Sequence, residues 1–267
     1  MKKVIPKMHR VKILRVDVSA GKVEKLIDHV AEEKPLHIFL NKAHYATILC
    51  SPGNLKELAI GHLLSEGVVR AFDEIKRTSL KGEVCQVELK SNVDLGKRLE
   101  RLNLHSRVVV SACGGSKLYQ YSGKIRRIES SLKVKAKIVL ECVNHLNFAA
   151  GVFRKTGGVH AAALYRTDGS LLAFAEDVGR HNAVDKVIGI AALGKTEFGQ
   201  CFLALSGRLT GDMVYKAARV GLPMMASLAA ALDSGIVIAE RAGLTLVGFV
   251  RGKRMNVYSS PERILVD

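Results

Sequence analysis

Apolar positions in residues 36–50, LHIFLNKAHYATILC, alternate with polar ones on both sides of Asn41-Lys42. That pattern predicts two short strands joined by a tight turn. Ser51-Pro52-Gly53-Asn54 ends it, and the period then changes. Leu55, Leu58, Ala59, Leu63 and Leu64 fall on helical spacing, predicting an amphipathic helix packed on a sheet, with Asn54 as N-cap and Gly67 as C-cap. A further strand is expected around Val84 to Leu89, followed by the charged stretch DLGKRLERLNLHSR. Beyond Val108 small residues and glycines become frequent, and AAALY, LLAFA, CFLALSG and LTLVGFV read as strands buried on both faces. The helical stretches NAVDKVIGIAAL and GDMVYKAARVG alternate with them, which argues for a layered α/β domain. The expected organisation is α/β, with a smaller N-terminal α+β domain over residues 1–106 and an α/β domain over residues 107–267.

With 267 residues, 48% of them hydrophobic, the chain can bury a substantial core as one large or two modest domains. No apolar run approaches the roughly 18 residues a membrane span needs, and MKKVIPKMHRVKILRVDV lacks the sustained apolar stretch of a signal peptide. A cytoplasmic protein with no membrane association is expected. The formal net charge of +16 points to an anionic partner or to solubility alone, and charge does not choose between nucleic acid, a phosphorylated cofactor and an acidic protein surface. A nucleic-acid role would rest only on that charge, since aromatics are 5%, tryptophan is absent and no RNA- or DNA-binding motif is recognisable. Cys50, Cys85, Cys113, Cys142 and Cys201 are odd in number and scattered, with no C-x-x-C. Neither a disulfide framework nor a structural zinc is expected.

Candidate chemistry sits in four loops beside buried runs, where α/β proteins place their sites. In VVVSACGGSKLY, Cys113 follows an apolar run and is flanked by Gly114-Gly115 and Lys117. It is either a packed thiol or an accessible, partly ionised nucleophile. The other four cysteines lie among apolar residues and read as small hydrophobes. In KTGGVHAAAL, His160 begins a small-residue run; it reads as a packed or hydrogen-bonded histidine, because a zinc deaminase needs H-x-E and P-C-x-x-C whereas this triplet is His160-Ala161-Ala162. FAEDVGRHNAVDK crowds Glu176, Asp177, Arg180, His181 and Asn182 between a strand and a helix. Asn182 and Asp185 resemble a capping box, while Arg180 and His181 stand at the positive helix end, suited to phosphate or carboxylate. Arg208 in SGRLTGDM and Arg251-Gly252-Lys253-Arg254 after LTLVGFV emerge from strand ends, either as solvated basic turns or as anion contacts.

PLHIFLNKAHYATILCSPGNLKELAIGHLLSEG, TGGVHAAAL, EDVGRHNAVDKVIG, SGRLTGDMVYKAAR and AGLTLVGFVRGKRMNVY, in this order, closely resemble the formate dehydrogenase accessory protein family, FdhD. The resemblance implies a cytidine-deaminase-like, three-layer C-terminal domain. It also implies a sulfurtransferase in which Cys113 accepts persulfide sulfur from a cysteine desulfurase. That sulfur would pass to the molybdenum or tungsten bis(molybdopterin guanine dinucleotide) cofactor needed by formate dehydrogenase. By the same resemblance Phe249, Val250, Arg251, Gly252, Lys253 and Arg254 bind the cofactor, GDP-like nucleotides can mimic it, and the protein is a homodimer. Arg180, His181, Arg208 and His160 are the further cofactor-binding candidates. Family members commonly carry C-x-x-C here, whereas this chain has Cys113-Gly114-Gly115-Ser116. A vicinal dithiol is thereby unsupported, and a cofactor-binding chaperone of formate dehydrogenase that moves no sulfur is the rival reading.

Overall fold

The computed structural model describes residues 8–101, 107–109 and 125–266. Strands β1 (Met8–Asp17) and β2 (Lys22–Ala31) form an antiparallel ribbon by themselves. A five-stranded sheet follows, built from β3 (Lys34–Leu40), β4 (Ala43–Cys50), β5 (Ile75–Lys81), β6 (Val84–Leu89) and β7 (Arg107–Val109) in the order β5-β6-β3-β4-β7. Helix α1 (Leu55–Ser65) lies between β4 and β5, and α2 (Leu95–Arg101) between β6 and β7. Strand β7, just past residue 106, runs parallel to β4 in this first sheet.

The second part of the chain contributes β8 (Val134–Lys135), α3 (Ala136–Ala149), α4 (Gly151–Thr156), β9 (His160–Arg166), β10 (Leu171–Asp177) and α5 (Arg180–Leu193). Then come β11 (Cys201–Leu205), α6 (Gly211–Arg219), β12 (Met224–Ser227), α7 (Asp233–Ala242), β13 (Thr245–Arg251), β14 (Arg254–Ser259) and β15 (Ile264–Leu265). Six of these strands form one sheet in the order β10-β9-β11-β12-β13-β14, parallel across β11, β12 and β13 and antiparallel elsewhere; β8 and β15 pair separately. Among the described residues no helix is long and apolar enough to cross a membrane.

The strand expectations follow directly from side-chain alternation. On β9, Ala161, Ala163 and Tyr165 enter a core shared with Val139, Val143 and Leu146 of α3, while Ala162 and Leu164 enter the core that contains Val184 and Ile188 of α5. Both faces are apolar, so the run reads as continuous rather than alternating. The hairpin turn also holds: Asn41 and Lys42 both have positive φ, 46° and 74°, the backbone that matches strand twist in two-residue hairpins.

Helix α1 departs from expectation. It was expected to show one apolar face to a sheet, yet every residue from Leu58 to Ser65 is buried, because α5 covers the side away from β5 and β6. Asn54 precedes the helix in a left-handed conformation and makes no side-chain cap, whereas Gly67, at φ 75°, sits just past its end as the spacing suggested. The α1–α5 contact is backbone against backbone. A methyl at Gly61 would overlap the Asp185 carbonyl, and one at Gly189 the Glu57 carbonyl. Next to this contact Asp185 accepts hydrogen bonds from Ser65 Oγ (2.6 Å) and Lys216 Nζ (2.9 Å), and its Oδ2 lies 3.1 Å from His62 Nδ1. Lys216 also reaches Glu66 at 2.9 Å, so α1, α5 and α6 share one buried charge cluster.

Burial alone would raise the Asp185 carboxyl, but the Lys216 ammonium and the His62 and Ser65 contacts outweigh it and hold the group below its ordinary 3.8. Its stabilising contribution is therefore complete above that value and lost as pH falls through the lower folded value. Asp185→Asn is expected to cost about 3 kcal/mol or more at pH 7, with the deficit shrinking below pH 3.8, as urea unfolding across pH will measure. Gly61→Ala and Gly189→Ala should each cost at least about 3 kcal/mol by the same assay, because neither backbone can yield.

Candidate functional site

The segment EDVGRHNAVDK is anchored by groups that never reach solvent. Asp177, at the end of β10, is fully buried and pairs with the equally buried Lys186 of α5 at 2.7 Å. The same carboxylate accepts hydrogen bonds from the Ser51 and Gly179 backbone amides (3.0 and 2.8 Å) and from Asn182 Nδ2 (2.9 Å). Lys186 Nζ donates to the Ser51 carbonyl at 2.8 Å, and Asn182 Nδ2 to the Leu49 carbonyl at 2.9 Å. The expected capping box is therefore not formed. The N-cap position belongs to Gly179, and Asn182 lies inside α5, tying the helix start to the end of β4. Glu176 is structural as well: its carboxylate accepts from the Val152 and Phe153 amides at the start of α4.

These bonds fix where Arg180 and His181 emerge. His160 begins β9 opposite Asp177, and the antiparallel pairing of β9 with β11 brings its end beside the Ser206–Gly207 turn. His160 Nδ1 lies 3.4 Å from Ser206 Oγ, which accepts the Ala161 amide at 3.0 Å. Burial first, then the Arg180, His181 and Arg208 charges, push the His160 imidazole below its ordinary 6.5, with Asp177 opposing in part. His160, Arg180, His181 and Arg208 thus converge on one edge of the six-stranded sheet. Arg180 lays its stem over Gly207, where a methyl would stand 3.2 Å from Arg180 Cβ, and its Nε is buried with no hydrogen-bond partner among the described residues.

Asp212 belongs to this site and was not anticipated. Its Oδ2 meets His181 Nε2 at 2.7 Å, and Oδ1 accepts from Thr210 Oγ1 and from the Met213 amide. Burial would raise the carboxyl, but the His181 contact leads the groups that hold it well below the ordinary carboxylate range. The available signal was Gly211-Asp212 at the first turn of α6, where a carboxylate suits the helix end.

The second group of cations surrounds the turn between β13 and β14. Phe249, Arg251, Arg254 and Asn256 line an open cavity of about 360 Å³. Arg251 and Arg254 pair across the turn, Gly252 supplies φ 60°, and Gly252 and Lys253 are exposed at its tip. Arg251 Nε donates to the Leu228 carbonyl at 2.8 Å, and its guanidinium carbon lies 5.7 Å from the Phe249 ring centre. Val250 differs from its neighbours: it is fully buried in the core that contains α3, so it supports the turn and does not line the cavity.

Residues 228–231, which follow β12, join the two groups. Ser227 Oγ donates to the Gly207 carbonyl at 2.6 Å, the Leu209 amide to the Ala230 carbonyl, and the Phe249 amide to the Ala229 carbonyl. Both groups thus stand beyond the C-terminal ends of parallel β11, β12 and β13, the edge where open α/β sheets hold ligands. The expected nucleophile, Cys113, lies outside the described residues, as do Ser116 and Lys117. Cys50, Cys85, Cys142 and Cys201 are all buried, and burial pushes the first three thiols up to about 12, 11 and 12 and raises the fourth. Among the described residues no group of three or more His, Cys, Asp or Glu side chains is placed to hold a metal ion.

Residues 31–265 match the model of the FdhD/NarQ family. The chain belongs to that family. It is 38% identical over 253 residues to the sulfur carrier protein FdhD of Saccharolobus solfataricus, covering 93% of this chain and 96% of that one. A second relative, the sulfur carrier protein FdhD of Methanothermobacter thermautotrophicus, is 38% identical over 252 residues, covering 94% and 96%. A crystal structure assigned as a formate dehydrogenase accessory protein from Desulfotalea psychrophila superposes with a TM-score of 0.78 at 27% identity, covering 97% of this chain and all of the other. Four of the five motifs quoted from this sequence contain the loops that form the cationic edge, and the fifth forms β3, β4 and α1 beneath it.

An NMR titration of the His160 imidazole is expected to show a midpoint below 6.5. Replacing Arg180 and Arg208 together by Ala should raise that midpoint, since both cations disfavour a second positive charge. A wild-type midpoint at or above 6.5 would contradict the electrostatic picture.

Proposed function

We propose that this protein is a sulfur carrier for formate dehydrogenase maturation, with Cys113 as the sulfur-bearing residue. One observation carries the reading: the residues implied to bind a phosphate-rich cofactor, the buried Val250 excepted, meet along one sheet edge, in a chain whose relatives are named sulfur carriers. The cofactor proposed as substrate is molybdenum or tungsten bis(molybdopterin guanine dinucleotide), which presents two pyrophosphates and two guanines. Arg251, Arg254, Arg180, Arg208 and His181 offer donors suited to the phosphates, and the Phe249 ring beside Arg251 offers an apolar surface for a base. The helices on both faces of the six-stranded sheet are compatible with a cytidine-deaminase-like domain.

The proposed chemistry starts from a persulfide on a cysteine desulfurase. The Cys113 thiolate attacks its terminal sulfur, the new S–S bond forms on Cys113, and the donor cysteine leaves as thiolate, so nothing is oxidised or reduced overall. In delivery the S–S bond would break, the terminal sulfur would be reduced to sulfide by two electrons from the substrate metal, which is oxidised by the same two, the persulfide proton would be released, and Cys113 would return as thiolate. A single cysteine suffices for both steps, so Ser116 in the place of a second cysteine is compatible with them. The four buried cysteines, with thiols raised by burial, are poorly suited to the role.

Cys113→Ala is expected to abolish persulfide labelling by a cysteine desulfurase, read by mass spectrometry, and to abolish activation of a formate dehydrogenase. GDP binding should be unchanged in that variant. Arg251→Ala with Arg254→Ala should weaken GDP at least about tenfold in a calorimetric titration, the loss of one charge-assisted bond or more. Full client activation by Cys113→Ala would replace the carrier reading with that of a cofactor-holding chaperone.

A further inference from the structure

The ribbon of β1 and β2 projects one side-chain face that is exposed along most of its length. Register places Leu14 and Val16 of β1 beside Ile27, Lys25 and Val23 of β2, on the same face as Arg10, Lys12 and His29. Everything on this face from Arg10 to Val16 and from Val23 to His29 is exposed. Leu14, Val16, Val23 and Ile27 are 60, 57, 57 and 54% exposed. The opposite face is different in kind: Val11, Ile13 and Leu26 are half-buried, and the carboxylates Asp17, Glu24 and Asp28 all lie there. The open face therefore combines four apolar side chains with Arg10, Lys12 and Lys25 and no carboxylate.

Such a surface is costly without an occupant. A two-stranded ribbon is marginal in water by itself, and contiguous apolar residues rimmed by charge mark interaction sites. The family match begins at residue 31, so nearly the whole ribbon precedes it. The charge selects among occupants. A second copy docked by the same face would set three cations against three, which costs several kcal/mol for like charges. Single-stranded nucleic acid prefers aromatic stacking platforms, and this face has no aromatic side chain besides His29. An apolar strip bordered by carboxylates satisfies both features at once.

We infer that the open face of the β1–β2 ribbon is a docking surface for a protein partner that presents an acidic amphipathic segment. Leu14, Val16, Val23 and Ile27 take its apolar side chains, and Arg10, Lys12 and Lys25 meet its carboxylates. The surface lies apart from the cationic sheet edge in sequence and belongs to a different sheet, so the inference stands independently of the sulfur-carrier reading.

The probe is a fluorescein-labelled amphipathic peptide with a leucine face and a glutamate polar face, compared with the same peptide carrying lysine for every glutamate. Anisotropy with the full chain should show the glutamate peptide binding at least tenfold more tightly, with affinity falling as salt rises. Lys12→Glu with Lys25→Glu, and separately Leu14→Ser with Ile27→Ser, should each weaken it at least tenfold while leaving the circular-dichroism melt unchanged, because all four positions are exposed. Equal binding of the two peptides, or unchanged affinity in both double variants, would overturn the inference. So would phosphatidylglycerol vesicles capturing wild type but not Leu14→Ser with Ile27→Ser when the glutamate peptide fails to bind, since the occupant is then a membrane. A dimer that the same variant dissociates in sedimentation equilibrium would overturn it in favour of a second copy.

Discussion

Helices α1 and α5 touch through their backbones, and the rest of the architecture depends on that contact. Gly61 and Gly189 have no side chain to separate the helices, so the layer resting on the first sheet and the layer resting on the second merge into one apolar core. Close approach leaves little room for water. The charged groups trapped beside it must then satisfy one another, and Asp185, Lys216, His62, Ser65 and Glu66 do so. Asp177 and Lys186, the latter next to Asp185 in α5, repeat the arrangement toward the start of that helix. Removing one partner from such a cluster leaves a buried charge unpaired, which costs more than the pair itself contributes.

The electrostatics of the sheet edge follow from this scaffold. Arg180 and His181 occupy the first turn of α5, whose position is set by the bonds of Asp177 and Asn182 to Ser51, Gly179 and Leu49. Asp212 holds one His181 nitrogen, while the neighbouring cations and burial keep His160 disposed to be neutral. Two histidines a short distance apart therefore have opposite surroundings, one beside a carboxylate and one among cations. An anion arriving at this edge would offset the arginine charges and leave burial as the main influence on His160.

The strands of the six-stranded sheet were legible because burial on both faces writes an uninterrupted apolar run, as in CFLAL. The hairpin at Asn41-Lys42 was legible because its turn demands positive φ. Strand β12 was not, since MMAS is only four residues long. Asn182 was misread because a capping residue and a buried amide share the same local pattern, and only the distant Leu49 carbonyl distinguishes them. Arg180, His181, Arg208 and His160 were found through the loops that carry them, but Asp212 joins His181 across 31 residues, a pairing that no local spacing encodes. Val250 shares the cation-rich segment with its neighbours, but strand alternation turns it inward. The ribbon is not legible in the sequence because its alternation is diluted by charge on both faces.

The short bridge of residues 228–231 makes the edge a gauge of length. It is bonded on one side to the turn under Arg180 and on the other to Phe249 and Arg251, so the two cationic ends keep a set separation. If the edge takes anions as proposed, a molecule with one anionic centre would occupy one end and gain a single set of contacts. One whose charges are spaced to match the bridge would make its second attachment without leaving the first, and its affinity would multiply accordingly. Discrimination by size would then require no closing lid and no induced fit, only a bridge that does not stretch.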